Sequence, residues 1–218
     1  MDSIEKIVME KSRTFAMRRM KKLHSSHGWN HVERVINIAD KITENEPGAD
    51  HFIVLVSAIL HDIARPEEDR SNGKKCHASL GSKIALDFLL DLGLDRNRSE
   101  HISECILTHR FRNNNKPESL EAKILYDSDK IDSIGAVGIG RAFLFSGEIG
   151  ARLHNSKIDI ESTEAYTDED TAYREFMVKL RKVKDTMLTA EGKRMAGERH
   201  SFMELFFDRF HNEVKGLF

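Results

Sequence analysis

Between Phe52 and Leu60 eight of nine residues are apolar, Ser57 being the exception, and the run ends directly on His61 and Asp62. A segment apolar all round must be covered by other elements, so it constrains the fold more than any amphipathic stretch. Its nine residues are about half of the roughly 20 that a membrane span needs. It reads as a helix buried on most sides, because the chain offers no clearly alternating partner strands. A carboxylate at the end of such a run enters an apolar interior, which is costly unless something offsets the charge. A divalent cation would offset it, with the adjacent imidazole as a natural co-ligand. For the dipeptide alone the competing reading is that Asp62 caps or hydrogen-bonds a neighbour while His61 is a satisfied core histidine.

The elements around this run are legible from their periodicity. Val32, Val35, Ile36, Ala39 and Ile42 predict an amphipathic helix. Helical patterns also run over Ala78–Leu92, with Gly93 as its cap, and over Ser99–Thr108, Leu120–Asp129, Ala172–Leu188 and Arg194–Val214. Pro47, Pro66 and Pro117 mark breaks, and the polar stretches Arg65–Lys75, Arg110–Pro117 and Arg152–Asp170 read as loops. Phe202, Leu205, Phe206, Phe210 and Val214 form an apolar stripe that suits core packing and could serve a homodimer contact as readily. Gly135-Ala136-Val137-Gly138-Ile139-Gly140 lacks the Gly-x-Gly-x-x-Gly order and a preceding strand, so close helix packing explains it better. The expected fold is all-α. It is a single-domain helical bundle over 1–218, with a core over about 20–145 and a C-terminal helical part over about 170–218 packed on it.

Composition narrows the class. The chain has 218 residues, 39% apolar and 32% charged, enough to bury a core and too apolar for disorder. A net charge of −2 with the signs mixed is no footprint of a nucleic-acid binder. The local basic cluster Arg18, Arg19, Lys21, Lys22 reads as a solvated helix face. Cys76 and Cys105 have neither metal-ligand spacing nor a disulfide framework, and the N-terminus offers no apolar signal core. A reducing, cytoplasmic setting without a membrane partner follows as the default.

Two further groups change the weighing of His61-Asp62. His31 stands just before Val32, placed to face the same core, and Asp127, Asp129 and Asp132 end the apolar segment Ile124-Leu125-Tyr126. Polar ligands at the ends of three separate apolar segments suit a metal site inside a helical bundle. Two imidazoles and two carboxylates make a mixed N/O shell that fits Mn²⁺, Fe²⁺, Zn²⁺ or Mg²⁺.

In order and wording these segments resemble the HD-domain phosphohydrolase superfamily, whose metal ligands follow the pattern His … His-Asp … Asp. His27-Gly28-Trp29-Asn30-His31-Val32-Glu33-Arg34-Val35 is similar to the first ligand helix of small, free-standing HD hydrolases. Ala58-Ile59-Leu60-His61-Asp62-Ile63 is similar to their central helix. Cys76-His77-Ala78, Leu107-Thr108-His109-Arg110-Phe111, Tyr126-Asp127-Ser128-Asp129-Lys130-Ile131-Asp132-Ser133-Ile134-Gly135 and the stretch Glu191–His200 follow in the same order. The resemblance implies His31, His61, Asp62 and Asp129 as metal ligands, with Asp127 and Asp132 as alternatives to the last. It departs at Gly28, where close relatives usually carry Asp.

The resemblance also implies a divalent-metal cofactor, Mn²⁺ foremost, and metal-assisted hydrolysis in which Asp62, His77 and His109 take catalytic roles. A nucleotide is the implied substrate, with nucleoside triphosphate pyrophosphohydrolase activity known among small relatives. Other phosphoesters (a nucleoside monophosphate, a cyclic nucleotide, a guanosine polyphosphate) are the alternatives. Some HD proteins hold a second metal with additional histidines, for which His77, His101 and His109 qualify, and some use two irons to activate O₂. Arg110, Lys130 and Lys75 are the candidate substrate-binding cations, with Lys74 and Arg112 beside them, since cations there would neutralise phosphoryl oxygens. His24, His51, His154, His200 and His211 read as surface or packing residues.

Overall fold

The computed structural model describes residues 2–21, 28–110, 115–155 and 159–217. Of the residues singled out above, Lys22, His24, His27, Phe111 and Arg112 lie outside that set. Among the described residues there are ten α-helices and no strand. None of these helices is long and apolar enough to cross a membrane. The chain divides into two compact units, the first made of Met1–Asp129 with Leu188–Glu191 and the second of Lys130–Met187 with Gly192–Phe218.

The first unit is built around the apolar run, which forms α3 (His51–Leu60). Asp50 starts it by accepting from the backbone N–H of Phe52 and Ile53, and every residue from Phe52 to Leu60 is buried. Helices α1 (Ser3–Met20), α2 (Trp29–Asn45) and α6 (Arg96–Thr108) surround it. Each large aliphatic side chain so buried contributes about 1.5–3 kcal/mol.

Helix α2 buries the expected stripe with His31 included, and α5 (His77–Asp91) ends before Gly93 in the left-handed region at φ +80°. Helix α6 begins earlier than its pattern, because Asp95 caps it by accepting from Arg98 N–H. Of helix α1 only the basic end, with Arg18 and Arg19, was anticipated. Only Val8, Ser12, Ala16 and Met20 of it are buried, a stripe one residue wide among charges, while a capping box between Asp2 and Glu5 fixes its start. The stretch Arg65–Lys75 is not all loop: Arg65–Arg70 forms the short helix α4, with Pro66 in its first turn where no N–H is needed.

Helix α7 (Leu120–Ile131) carries Asp127 and Asp129 of the acidic cluster, and Asp132 follows its end. Asp127 is fully buried and accepts from Leu188 N–H, Thr189 N–H and the Thr189 hydroxyl at 2.7–3.1 Å. Its carboxylate therefore anchors the segment that leads into α10 (Ala190–Val214).

In the second unit, α8 (Gly135–Glu148) meets the close-packing expectation at Gly135, where a Cβ would stand 2.9 Å from the Arg199 side chain of α10, while at Gly138 it would meet the helix's own entry turn, 2.2 Å from the Ser133 carbonyl oxygen. The pattern over Ala172–Leu188 is broken. Helix α9 covers Ala172–Val178, Lys179 leaves the helical region, and a 3₁₀ segment follows over Leu180–Thr186. On α10 the buried stripe is Ala196, His200, Met203 and Phe207, not the predicted one. Phe202 and Leu205 are 45% and 67% exposed, and Phe206 and Phe210 are half-buried around Phe143. Both faces of this helix carry aromatic residues, so periodicity alone could not choose between them. Asp132 is buried here against Arg141, 2.7 Å away.

Asp127→Ala would leave buried N–H groups without acceptors, at roughly 1–3 kcal/mol each. We expect a loss of about 3 kcal/mol in urea unfolding, with metal stoichiometry unchanged.

Candidate metal centre

Five helix ends of the first unit deliver the polar side chains. His31 stands in the first turn of α2, where its N–H bonds to the Gly28 carbonyl and no side chain caps the helix. His61 and Asp62 follow α3, His77 opens α5, His109 closes α6, and Asp129 lies in the last turn of α7. All are buried except Asp129, whose side chain is 17% exposed.

The ligand atoms form two groups, each compact to within 4.8 Å: His31, His61 and Asp129 in one, Asp62, His77 and His109 in the other. In the first, His31 Nε2 is 3.3 Å from His61 Nε2 and 3.4 Å from Asp129 Oδ1. In the second, His77 Nε2 is 2.9 Å from Asp62 Oδ1 and 3.2 Å from His109 Nε2. Asp62 joins the two. Its Oδ2 lies 3.8 Å from His31 Nε2 and 3.6 Å from His61 Nε2, while its Oδ1 faces His77 and His109.

The tautomers follow from the partners of the other ring nitrogens. A carbonyl oxygen can only accept, so His61 Nδ1 donates to Ala58 O at 2.8 Å and His109 Nδ1 donates to Ile106 O at 2.6 Å. In the neutral rings the Nε2 lone pairs then face inward. Burial, with the neighbouring His61 and His77, holds the His109 imidazole well below its ordinary range, and burial also lowers His61. Burial would raise Asp62, but the imidazoles of His61, His77 and His31 hold its carboxyl well below the usual range. Inward lone pairs and an ionised carboxylate in a buried space require positive charge, and two of the histidines resist supplying it as protons. The donor set therefore fits a divalent cation.

Other expected residues fall elsewhere. Asp127 and Asp132 are engaged as described and join neither group. His101 contacts Ser119 and Glu121 at 3.0 and 3.2 Å, apart from both groups. Burial pushes the Cys105 thiol up to about 12, which removes it as a nucleophile. Lys74 and Lys75 are exposed, and half-buried Lys130 follows Asp129 on α7.

Two residues were missed in the sequence. Glu68, buried on α4, bonds His77 Nδ1 and Arg110 Nη1, each at 2.6 Å, and Arg65 Nη1 lies 3.2 Å from the same His77 nitrogen. A proline followed by two acidic residues is a helix-start signal, but nothing in the spacing links Glu68 to His77 across nine positions.

A family model described as HD domain matches residues 28–134. YpgQ of Bacillus subtilis (strain 168) is 34% identical over 215 residues, covering 95% of this chain and 94% of that protein. The crystal structure of Bacillus subtilis YpgQ in complex with ADP superposes with a TM-score of 0.75 at 28% identity, covering 98% of each chain. An HD-superfamily hydrolase from Bacillus thuringiensis gives a TM-score of 0.77 at 30% identity, over 97% of this chain and 98% of that one.

The depressed imidazoles make stability pH-dependent with a defined sign. Below about pH 6.5 the unfolded chain protonates its histidines while buried His61 and His109 stay neutral. The unfolded state then binds more protons, so their contribution is present above that pH and lost on acidification. Thermal melts of chelated protein should fall between pH 7 and pH 5, and His109→Gln should flatten that slope.

Proposed function

This chain belongs to the HD-domain family, and on that premise we propose that it is a metal-dependent phosphohydrolase acting on a nucleotide. The observation that carries the reading is Asp62, one carboxylate whose two oxygens face two groups of inward imidazoles. In this reading His31, His61, Asp62 and Asp129 would hold the cation, which would supply a water of lowered pKa and polarise a phosphoryl oxygen. The bound ADP of Bacillus subtilis YpgQ supports a nucleotide as the substrate class.

The chain's own residues handle protons and charge. Asp62 is ionised and sits where it can accept a proton from an attacking water. His77 contacts Asp62 directly and is placed to pass that proton on, while His109, held neutral by burial, presents its Nε2 lone pair to the same space. Arg110, half-buried beside His77, is the cation best placed to meet phosphoryl oxygens, with Lys130 and Lys75 as the further candidates. A triphosphate cleaved to release pyrophosphate is the leading reaction, and another phosphoester is the alternative.

The pairing of two groups on Asp62 also favours a second reading, a two-metal site that includes O₂-activating iron. Two irons per chain and O₂ consumption would mark it.

Metal analysis of purified protein, alongside a nucleotide panel with Mn²⁺ and identification of phosphate or pyrophosphate, tests the proposal. Asp62→Asn should lower turnover by at least about 100-fold, and Asp129→Ala should lower metal per chain where Asp127→Ala does not. Full metal and turnover in Asp62→Asn would refute the assignment.

A further inference from the structure

Glu68 belongs to neither ligand group, yet three groups converge on its carboxylate. Oε2 is 2.6 Å from His77 Nδ1, Oε1 is 2.6 Å from Arg110 Nη1, and Arg65 Nη1 is 3.4 Å from Oε2. Helix α4, which carries it, is itself held: Arg19 bonds Glu67 at 2.6 Å and the Ile63 carbonyl at 2.8 Å. The carboxylate therefore has little freedom to move away from His77.

His77 lies between two carboxylates, and a neutral imidazole has one proton to offer them. Glu68 meets Nδ1 at 2.6 Å and Asp62 meets Nε2 at 2.9 Å. The nitrogen that carries the proton decides what His77 presents to the site. With the proton on Nδ1, the Nε2 lone pair faces the space beside Asp62 Oδ1 and His109 Nε2; with the proton on Nε2, that lone pair is lost. The shorter contact, at Glu68, favours the first arrangement.

We propose that Glu68 is the positioning residue of the His77 half of the site: braced by Arg110 and Arg65, it keeps the proton of His77 on Nδ1 and turns Nε2 toward Asp62. A carboxylate behind a functional imidazole fixes ring orientation and tautomer and raises basicity at the far nitrogen. Arg110, engaged through Nη1, then acts on His77 through Glu68 as well as on substrate. The kinetic part of this inference rests on the proposed phosphohydrolase reading; the tautomer does not.

The test uses ¹⁵N-histidine-labelled full-length protein at a fixed pH of about 8, above the ordinary histidine range, first chelated and then with Zn²⁺ added. Two-bond ¹H–¹⁵N spectra should show His77 protonated on Nδ1 in both states. Glu68→Gln keeps the side chain's shape but can donate to Nδ1 and leaves Asp62 as the only competing carboxylate. Its His77 proton should move to Nε2, while the ring signals of His61 and His109, which donate to backbone carbonyls, stay in place as the folding control. On a nucleotide substrate the same variant should lose about 10–100-fold in kcat with KM within about twofold, and Glu68→Asp should recover part of that loss. An unchanged His77 ring in Glu68→Gln overturns the proposal, as does a KM effect with kcat intact. Should Glu68→Gln not fold, Glu68→Ala removes the acceptor outright and reads the same nitrogens; a shift to Nε2 supports the proposal and no shift overturns it. If every form is inactive, the phosphohydrolase reading fails while the ring spectra still decide the role of Glu68.

Discussion

The buried charge of Asp62 is the constraint on which the rest of the site depends. A carboxylate at the end of an apolar helix is tolerable only if its surroundings provide compensating charge and hydrogen bonds. Here both oxygens are turned on imidazoles, and burial keeps His61 and His109 from carrying the missing charge as protons. The arrangement is therefore a poor core and a good cation site.

Helix ends solve the orientation problem. His61 and His109 each close a helix and each donate Nδ1–H to the carbonyl three residues back, Ala58 and Ile106. The last carbonyls of a helix have no intrahelical donor, so the imidazole satisfies one and in return is locked in a single tautomer. His77 opens α5, and there a carboxylate from α4 takes that place. The same requirement, a fixed Nδ1–H, is met by backbone at two positions and by Glu68 at the third.

Much of this was legible in the residues. The buried run, the amphipathic α2, the C-terminal ends of α5 and α6 and the gathering of His31, His61, Asp62, His77, His109 and Asp129 followed from periodicity, from the cost of buried charge and from the family's residue order. The N-terminal helix before its basic end was not, because a stripe of Val8, Ser12, Ala16 and Met20 carries too little apolar signal to stand out among charges. The buried face of α10 was misjudged because Phe202, Leu205 and Phe207 offer competing stripes, and only the elements packed in the second unit distinguish them.

Sequence alone determined that a carboxylate and a histidine would enter an apolar interior together, since the run from Phe52 to Leu60 leaves Asp62 no local escape to water. Tertiary structure decided which partners meet them. Asp127 and Asp129 sit two residues apart on α7 and so point about 200° apart around the helix axis. One therefore anchors Leu188 and Thr189 while the other faces His31. Glu68 reaches His77 only because α4 packs on α5. Helix rotation and through-space packing of this kind leave no periodic trace, which is why the ligand types could be read along the chain and their pairing could not.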